Sequence, residues 1–159
     1  YNGERIERNW GKAMDYREFI QLDLPVAVAI VSCGADWRVE EANAEFTDVL
    51  GYTEKELRET RPQKMVYDED YANLVSVLEN VVRTHDNGKM QLRIVRPDGK
   101  TRWVEMRCSV LAHYDVKPYV VLFLWDIDEE KRREEHQKLL NQKYELMEQL
   151  SLELSLIHI

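Results

Sequence analysis

The chain has 159 residues and a formal net charge of −8, its 22 basic side chains scattered among 30 acidic ones. That length suits one domain with a core and one or two appended helices, and dispersed acidic charge argues against a nucleic-acid or anionic-membrane surface, which needs a clustered positive field. With 44% apolar residues, six glycines and four prolines the chain is expected to fold, and no apolar run is long enough to cross a bilayer.

Residues 1–22 read as an amphipathic flanking helix, with Ile6, Trp10, Met14, Phe19 and Leu22 at roughly helical spacing. Pro25 ends it, because the residue before a proline is pushed out of the helical well. Val26 to Cys33 then reads as a buried strand, closed by a turn at "GAD". "WRVEEA" follows as a second strand, with Trp37, Val39 and Glu41 alternating against Arg38, Glu40 and Ala42. "NAEFTDVLG" predicts a short helix with Asn43 as N-cap and Gly51 in the left-handed conformation past its end. Thr53 and Glu56 have capping-box spacing, so another helix starts at once. "RPQKMVYDED" reads as a polar connection whose acids, Asp68 to Asp70, suit the start of a helix from about Glu69 to Thr84. Tyr71, Leu74, Leu78, Val81 and Val82 form its apolar stripe, and "HDNG" stops it.

Beyond Gly88 the period becomes strand-like. Met90, Leu92 and Ile94 alternate with Gln91, Arg93 and Val95; "RPDGK" is a turn, and Thr101 to about Ala112 returns with Val104, Met106, Cys108 and Val110 on one face. A loop through "HYDVKP" leads to a last strand, Tyr119 to Trp125, that does not alternate. Both its faces should therefore be covered, one by the domain's helices and the other by the N-terminal helix, the C-terminal helix or a second copy. After Asp128 an unbroken helix follows. Leu140, Met147 and Leu154 fall seven apart, and Leu150 and Ile157 hold the complementary seam position occupied earlier by His136 and Lys143. The favoured reading is a dimeric coiled coil, against a helix packed on its own domain; the tail "LSLIHI" is assigned no function.

Cys33 and Cys108 lie far apart in strand-like segments, outside any Cys-x-x-Cys pair. They read as buried thiols rather than a zinc or redox site, with a disulfide between them left open. Without a signal peptide, and with Tyr rather than Met at position 1, the expectation is a piece of a longer cytoplasmic protein.

Three stretches resemble the PAS domain, the sensor module of bacterial signalling proteins, over about Tyr16 to Asp128. "NAEFTDVLGYTEKEL" resembles the Asn-x-x-Phe…Gly-Tyr pattern in Asn43, Phe46, Gly51 and Tyr52. "RPDGKTRWVEMR" resembles the branch with a glycine turn followed by Trp-Val-Glu, here Gly99 and Trp103 to Glu105. "DID" resembles the Asp-Ile-Thr exit step, with Asp128 in place of Thr. The resemblance implies an α+β fold, a five-stranded antiparallel sheet with helices on one face and a small cavity between them. It divides the chain into a flanking helix (1–22), a sensor core (23–128) and a linker helix (129–159), and implies homodimer pairing through the flanking helices and the sheet.

Site chemistry is sparse. Ser109 and His113 lack a nucleophile elbow, and His85 with Asp86 reads as a helix stop without further ligands, so neither catalysis nor a metal is expected. Flavin-photochemical relatives carry an Asn-Cys-Arg-Phe motif, and haem-binding relatives a histidine on the long helix; neither is present, so neither cofactor is expected. The expected cavity wall is Val28, Ile30, Phe46, Leu50, Met65, Tyr71, Leu74, Leu78, Leu92, Ile94, Met106, Cys108 and Phe123, around either a filled core or a small organic ligand. An inward polar group, Tyr71, Asn43 or Arg107, would be the first clue to a ligand.

The expected function is sensing, with output through Asp126, Ile127 and Asp128. Asp126 is expected to bond a basic partner or a backbone amide, Ile127 to plug the core edge, and Asp128 to cap the exit helix. The effector expected beyond residue 159 is a diguanylate cyclase, with a histidine kinase second. The alternative is a ligand-free dimerisation module; a stand-alone enzyme is a third reading that would need a convergent polar pocket.

Overall fold

The computed structural model describes residues 18, 20, 24–33, 36–111 and 117–157. The chain falls into two units, Tyr1–Asp126 and Ile127–Ile159.

The first unit is built on one five-stranded sheet. Its strands are β1 (Ala27–Ser32), β2 (Arg38–Ala42), β3 (Gly88–Val95), β4 (Thr101–Val110) and β5 (Tyr119–Asp126). Their order is β2-β1-β5-β4-β3, and every neighbouring pair is antiparallel. The central place of β1 and β5 explains their composition, because each is flanked by strands; β1 is buried on both faces, whereas the outer face of β5 is buried at Val121, half-buried at Phe123 and exposed at Trp125. Ala27, Ala29, Val31, Val120, Leu122 and Leu124 belong to the main core. Val28, Ile30 and Val121 face the other way and bury Ile20, a helical residue ahead of β1. Of the expected N-terminal helix, only Glu18 and Ile20 fall among the described residues, and both are helical. Gly34 and Ala35 of the "GAD" turn, and His113 to Val116 of the loop before β5, lie outside them.

β2 departs from simple alternation. Glu41 pairs with Ile30 but Val39 pairs with Val31, so Glu40 is an extra, bulged residue. The bulge puts Val39 and Ala42 both in the core, where strict alternation from Trp37 would have turned Ala42 outward. It also sets Asn43, which caps α1 (Ala44–Leu50) by accepting from Phe46 N–H at 3.0 Å. Gly51 closes this helix at φ 80, as its position predicts. Arg96, opening the β3–β4 turn, donates to the Asp48 and Val49 carbonyls at the same helix end. The first two sequence signatures thus meet in space.

Helix α2 (Glu54–Glu59) carries the predicted capping box, with both reciprocal bonds between Thr53 and Glu56 formed. The supposed connection after it contains a further helix, α3 (Pro62–Met65), with proline at its start and Met65 buried. Its four residues are too few to show a period. Val66 then bridges Ile94 at the edge of β3. Helix α4 (Asp68–Thr84) lays Leu74, Leu78 and Val81 on the core. At its far end β3 starts close beneath it, because a Cβ on Gly88 would stand 2.7 Å from Val81 Cγ2 and from Cys108 Sγ.

The second unit is one helix, α5 (Asp128–Ile157), in which Leu139, Leu146, Met147, Leu150 and Leu154 are exposed.

Candidate functional site

Between the inner face of the sheet and the helices lies a cavity of about 70 Å³. From the helices it is lined by Phe46, Leu50, Met65, Tyr71, Leu74 and Leu78, and from the strands by Leu92, Ile94 and Met106. These nine were expected at the wall. Val28, Ile30 and Phe123 are corrected: they lie on the opposite face, in the cluster around Ile20. A strand apolar on both sides gives no parity, and only the register supplies it. Met106 and Cys108 pair with Leu124 and Leu122, which puts those two residues, not Phe123, on the helix side. Cys108 is buried in the same core but does not border the cavity. Its thiol is pushed up by burial and partly offset by the Gly88 backbone. Val31, Trp37, Val39, Val66 and Val75 also line the cavity and were missed. Cys33 and Cys108 are both free thiols.

Each of the three polar candidates has a definite place. Asn43 is consumed by structure: its Oδ1 accepts from Val28 and Phe46 N–H, both at 3.0 Å, and its Nδ2 donates to the Val26 carbonyl at 2.8 Å. Arg107 faces the outer side, against Glu105 and the Trp125 ring. Tyr71 places its side chain at the wall, and its phenol is pushed up by burial first and by the charge of Asp36 second. The wall offers an apolar surface with no exposed polar atom. Such a space suits a small apolar group and cannot compensate an ionised one. It is also far smaller than the ~300–1,000 Å³ of typical ligand sites.

The edge of this core is clamped at Arg93. Its guanidinium holds Asp70 through two bonds of 3.0 and 2.9 Å, and its own backbone N–H donates to Asp70 at 2.8 Å. These bonds hold the Asp70 carboxyl below the ordinary carboxylate range, with the Arg93 side-chain bond the largest cause. The Tyr67 and Trp103 rings lie 3.9 and 5.0 Å from the guanidinium carbon.

At the end of β5, Asp126 meets Arg102 of β4 at 3.1 Å. Asp126 is the last residue of the first unit and Ile127 the first of the second. Within the second unit the Ile127 carbonyl accepts from Lys131 N–H at 2.9 Å, which makes Ile127 the N-cap residue of α5. Asp128, expected at that position, is instead the first helical residue, where a negative charge still favours the helix dipole, and it accepts from Arg132 Nε at 2.7 Å. Among the described residues no helix is long and apolar enough to cross a membrane, and no three His, Cys, Asp or Glu side chains cluster as metal ligands would.

Residues 39–123 match the family described as the PAS fold. Over 148 residues, 92% of this chain, the sequence is 27% identical to Probable diguanylate cyclase DgcE of Escherichia coli K12, and the match spans 12% of that protein's length. Among solved structures, a PAS domain from Colwellia psychrerythraea superposes with TM-score 0.58 at 17% identity, covering 78% of this chain and 98% of that one. A sensory box histidine kinase/response regulator from Burkholderia thailandensis gives 0.58 at 17% identity, covering 76% and 90%. A LOV protein from Rhodobacter sphaeroides gives 0.61 at 15% identity, covering 76% and 68%. At these identities the structures share the fold.

Proposed function

The chain belongs to the PAS fold family, and from that premise we propose that it is the input module of a longer signalling protein, controlling a diguanylate cyclase through α5. A change in the packing of the sheet moves the Asp126–Ile127–Asp128 step and with it the pitch or register of the exit helix. The relation to a diguanylate cyclase favours that effector over a histidine kinase. The domain itself is assigned no reaction.

The observation that carries this reading is the Arg102–Asp126 pair. Both side chains are more than a third exposed, at 38% and 37%, so the pair contributes only about 0–1 kcal/mol to stability. Its use is positional, since it ties the end of β5 to β4 one residue before the chain enters the second unit. In the protein that carries this domain, Arg102→Ala and Asp126→Ala should change basal output or signal response while leaving the unfolding midpoint nearly unmoved. The double exchange Arg102→Asp with Asp126→Arg should restore part of the response. Unchanged cyclase activity in all three variants would sink the proposal.

The small volume of the cavity favours a second reading, a dimerisation module that takes no ligand. Native mass spectrometry of the purified domain separates the two, because a retained small molecule supports ligand sensing and a bare chain supports the scaffold.

A further inference from the structure

The outer face of the sheet carries a recess of about 630 Å³, on the side away from the apolar cavity and within the usual size range of ligand sites. The register of β3 and β4 places Lys89 directly opposite Arg107. Farther along β3, Arg93 turns its backbone N–H to Asp70 and its carbonyl to Tyr67, away from β4. The two-residue period gives Lys89 the same orientation, so Lys89 and Arg107 form the narrow type of cross-strand pair, whose side chains stand closest. Like charges in that position repel. Glu105 answers both with a single carboxylate, 3.6 Å from Lys89 Nζ and 3.4 Å from Arg107 Nη2, distances long for strong ion pairs. Among the described residues one positive charge is left over, on a chain that is strongly acidic as a whole.

Aromatic surface adjoins it. Phe123 and Trp125 stack with ring centroids 6.3 Å apart, and Trp125 is 40% exposed. Arg107 lies 5.4 Å from the Trp125 ring centroid, which fixes the cation beside the aromatic surface. At the other end Ser109 donates to Asn87 Oδ1 at 2.7 Å, which leaves the Asn87 amide nitrogen as a further donor on the rim.

We propose that this recess binds a planar aromatic anion, with its ring on Trp125 and its carboxylate or phosphate between Lys89 and Arg107. An anionic head supplies the charge that Glu105 alone does not, and a flat ring covers the exposed indole.

The test titrates the intact chain with adenosine monophosphate and with indole-3-acetate, followed by calorimetry and the tryptophan indole N–H signals. Adenosine, which lacks the anion, and ribose 5-phosphate, which lacks the ring, serve as controls. At least one aromatic anion should bind with a Kd of about 1 mM or tighter and weaken as salt rises. The tighter of the two identifies the better pairing of ring and head group. Lys89→Gln, Arg107→Gln and Trp125→Leu should each weaken binding by about fivefold or more, and Glu105→Gln, which frees both cations, should tighten it. Lys89 and Arg107 side chains are 60% and 55% exposed, so these two variants should keep the wild-type unfolding midpoint. Equal binding of adenosine and its monophosphate, unchanged affinity in the charge variants, or no indole shift with either anion at about 5 mM overturns the proposal.

Discussion

Replacing Asn43 with alanine removes, in one step, the acceptor for the Val28 and Phe46 amides and the donor to the Val26 carbonyl. The side chain is buried, so water replaces those bonds poorly, and urea unfolding should show a loss of about 2–4 kcal/mol. A loss below about 1 kcal/mol, the usual worth of an exposed cap, would mean that the bonds to the start of β1 contribute little. Asp70 makes a different kind of demand, because its effect depends on pH. Its carboxyl is held low in the folded state, so the stability it contributes is present above the ordinary aspartate range and is lost as pH falls through the folded value. Asp70→Asn should therefore lower the urea midpoint at pH 7 and have much less effect near pH 2. An equal loss at both would show that the Arg93 clamp acts by shape rather than by charge.

At the scale of elements, the cavity between α4 and the sheet makes packing predictable. Val39→Ile adds one methyl group at the cavity wall and keeps the β-branched shape that a strand favours. If the space is free to be filled, stability should rise by about 0.5–1 kcal/mol; in a tightly filled core the same change would cost about 1 kcal/mol or more. Which elements were legible follows from the same physics. Caps and turns are local, so Asn43, Gly51, the Thr53–Glu56 box and the hairpin at Gly99 could be read from spacing alone. The strand β4 alternates, and Val104, Met106 and Cys108 were read onto the core face where they lie. β1 and β5 are apolar on both faces, so Val28, Ile30 and Phe123 could not be oriented until pairing was known. The cross-strand partners Arg102 and Asp126 were equally out of reach, because their meeting depends on the register of β4 and β5.

For the whole molecule, α5 carries the open question of assembly. Met147, Leu150 and Leu154 sit on the heptad seam and are exposed in the single chain. We propose that they meet the same helix of a second copy. Sedimentation should show a dimer that Met147→Asp with Leu150→Asp converts to a monomer, with the core's unfolding transition unchanged. A wild-type chain that stays monomeric at high concentration removes the coiled coil from the mechanism. The bulge in β2 has a consequence of another sort. Glu40 is exposed, but its carboxylate accepts from the buried Ser32 hydroxyl, so replacing it should cost about 1 kcal/mol. It is also the residue that the bulge sets aside, so that Ala42 enters the core and Asn43 turns toward β1. Without Glu40, Val39 would still face Val31, Glu41 would face Ile30 and Ala42 would face Ala29, a regular ladder with Ala42 still turned to the core. The strand therefore holds one residue more than its pairing needs, and a chain lacking Glu40 should still fold, losing about as much stability in urea as a chain in which Glu40 is replaced by alanine.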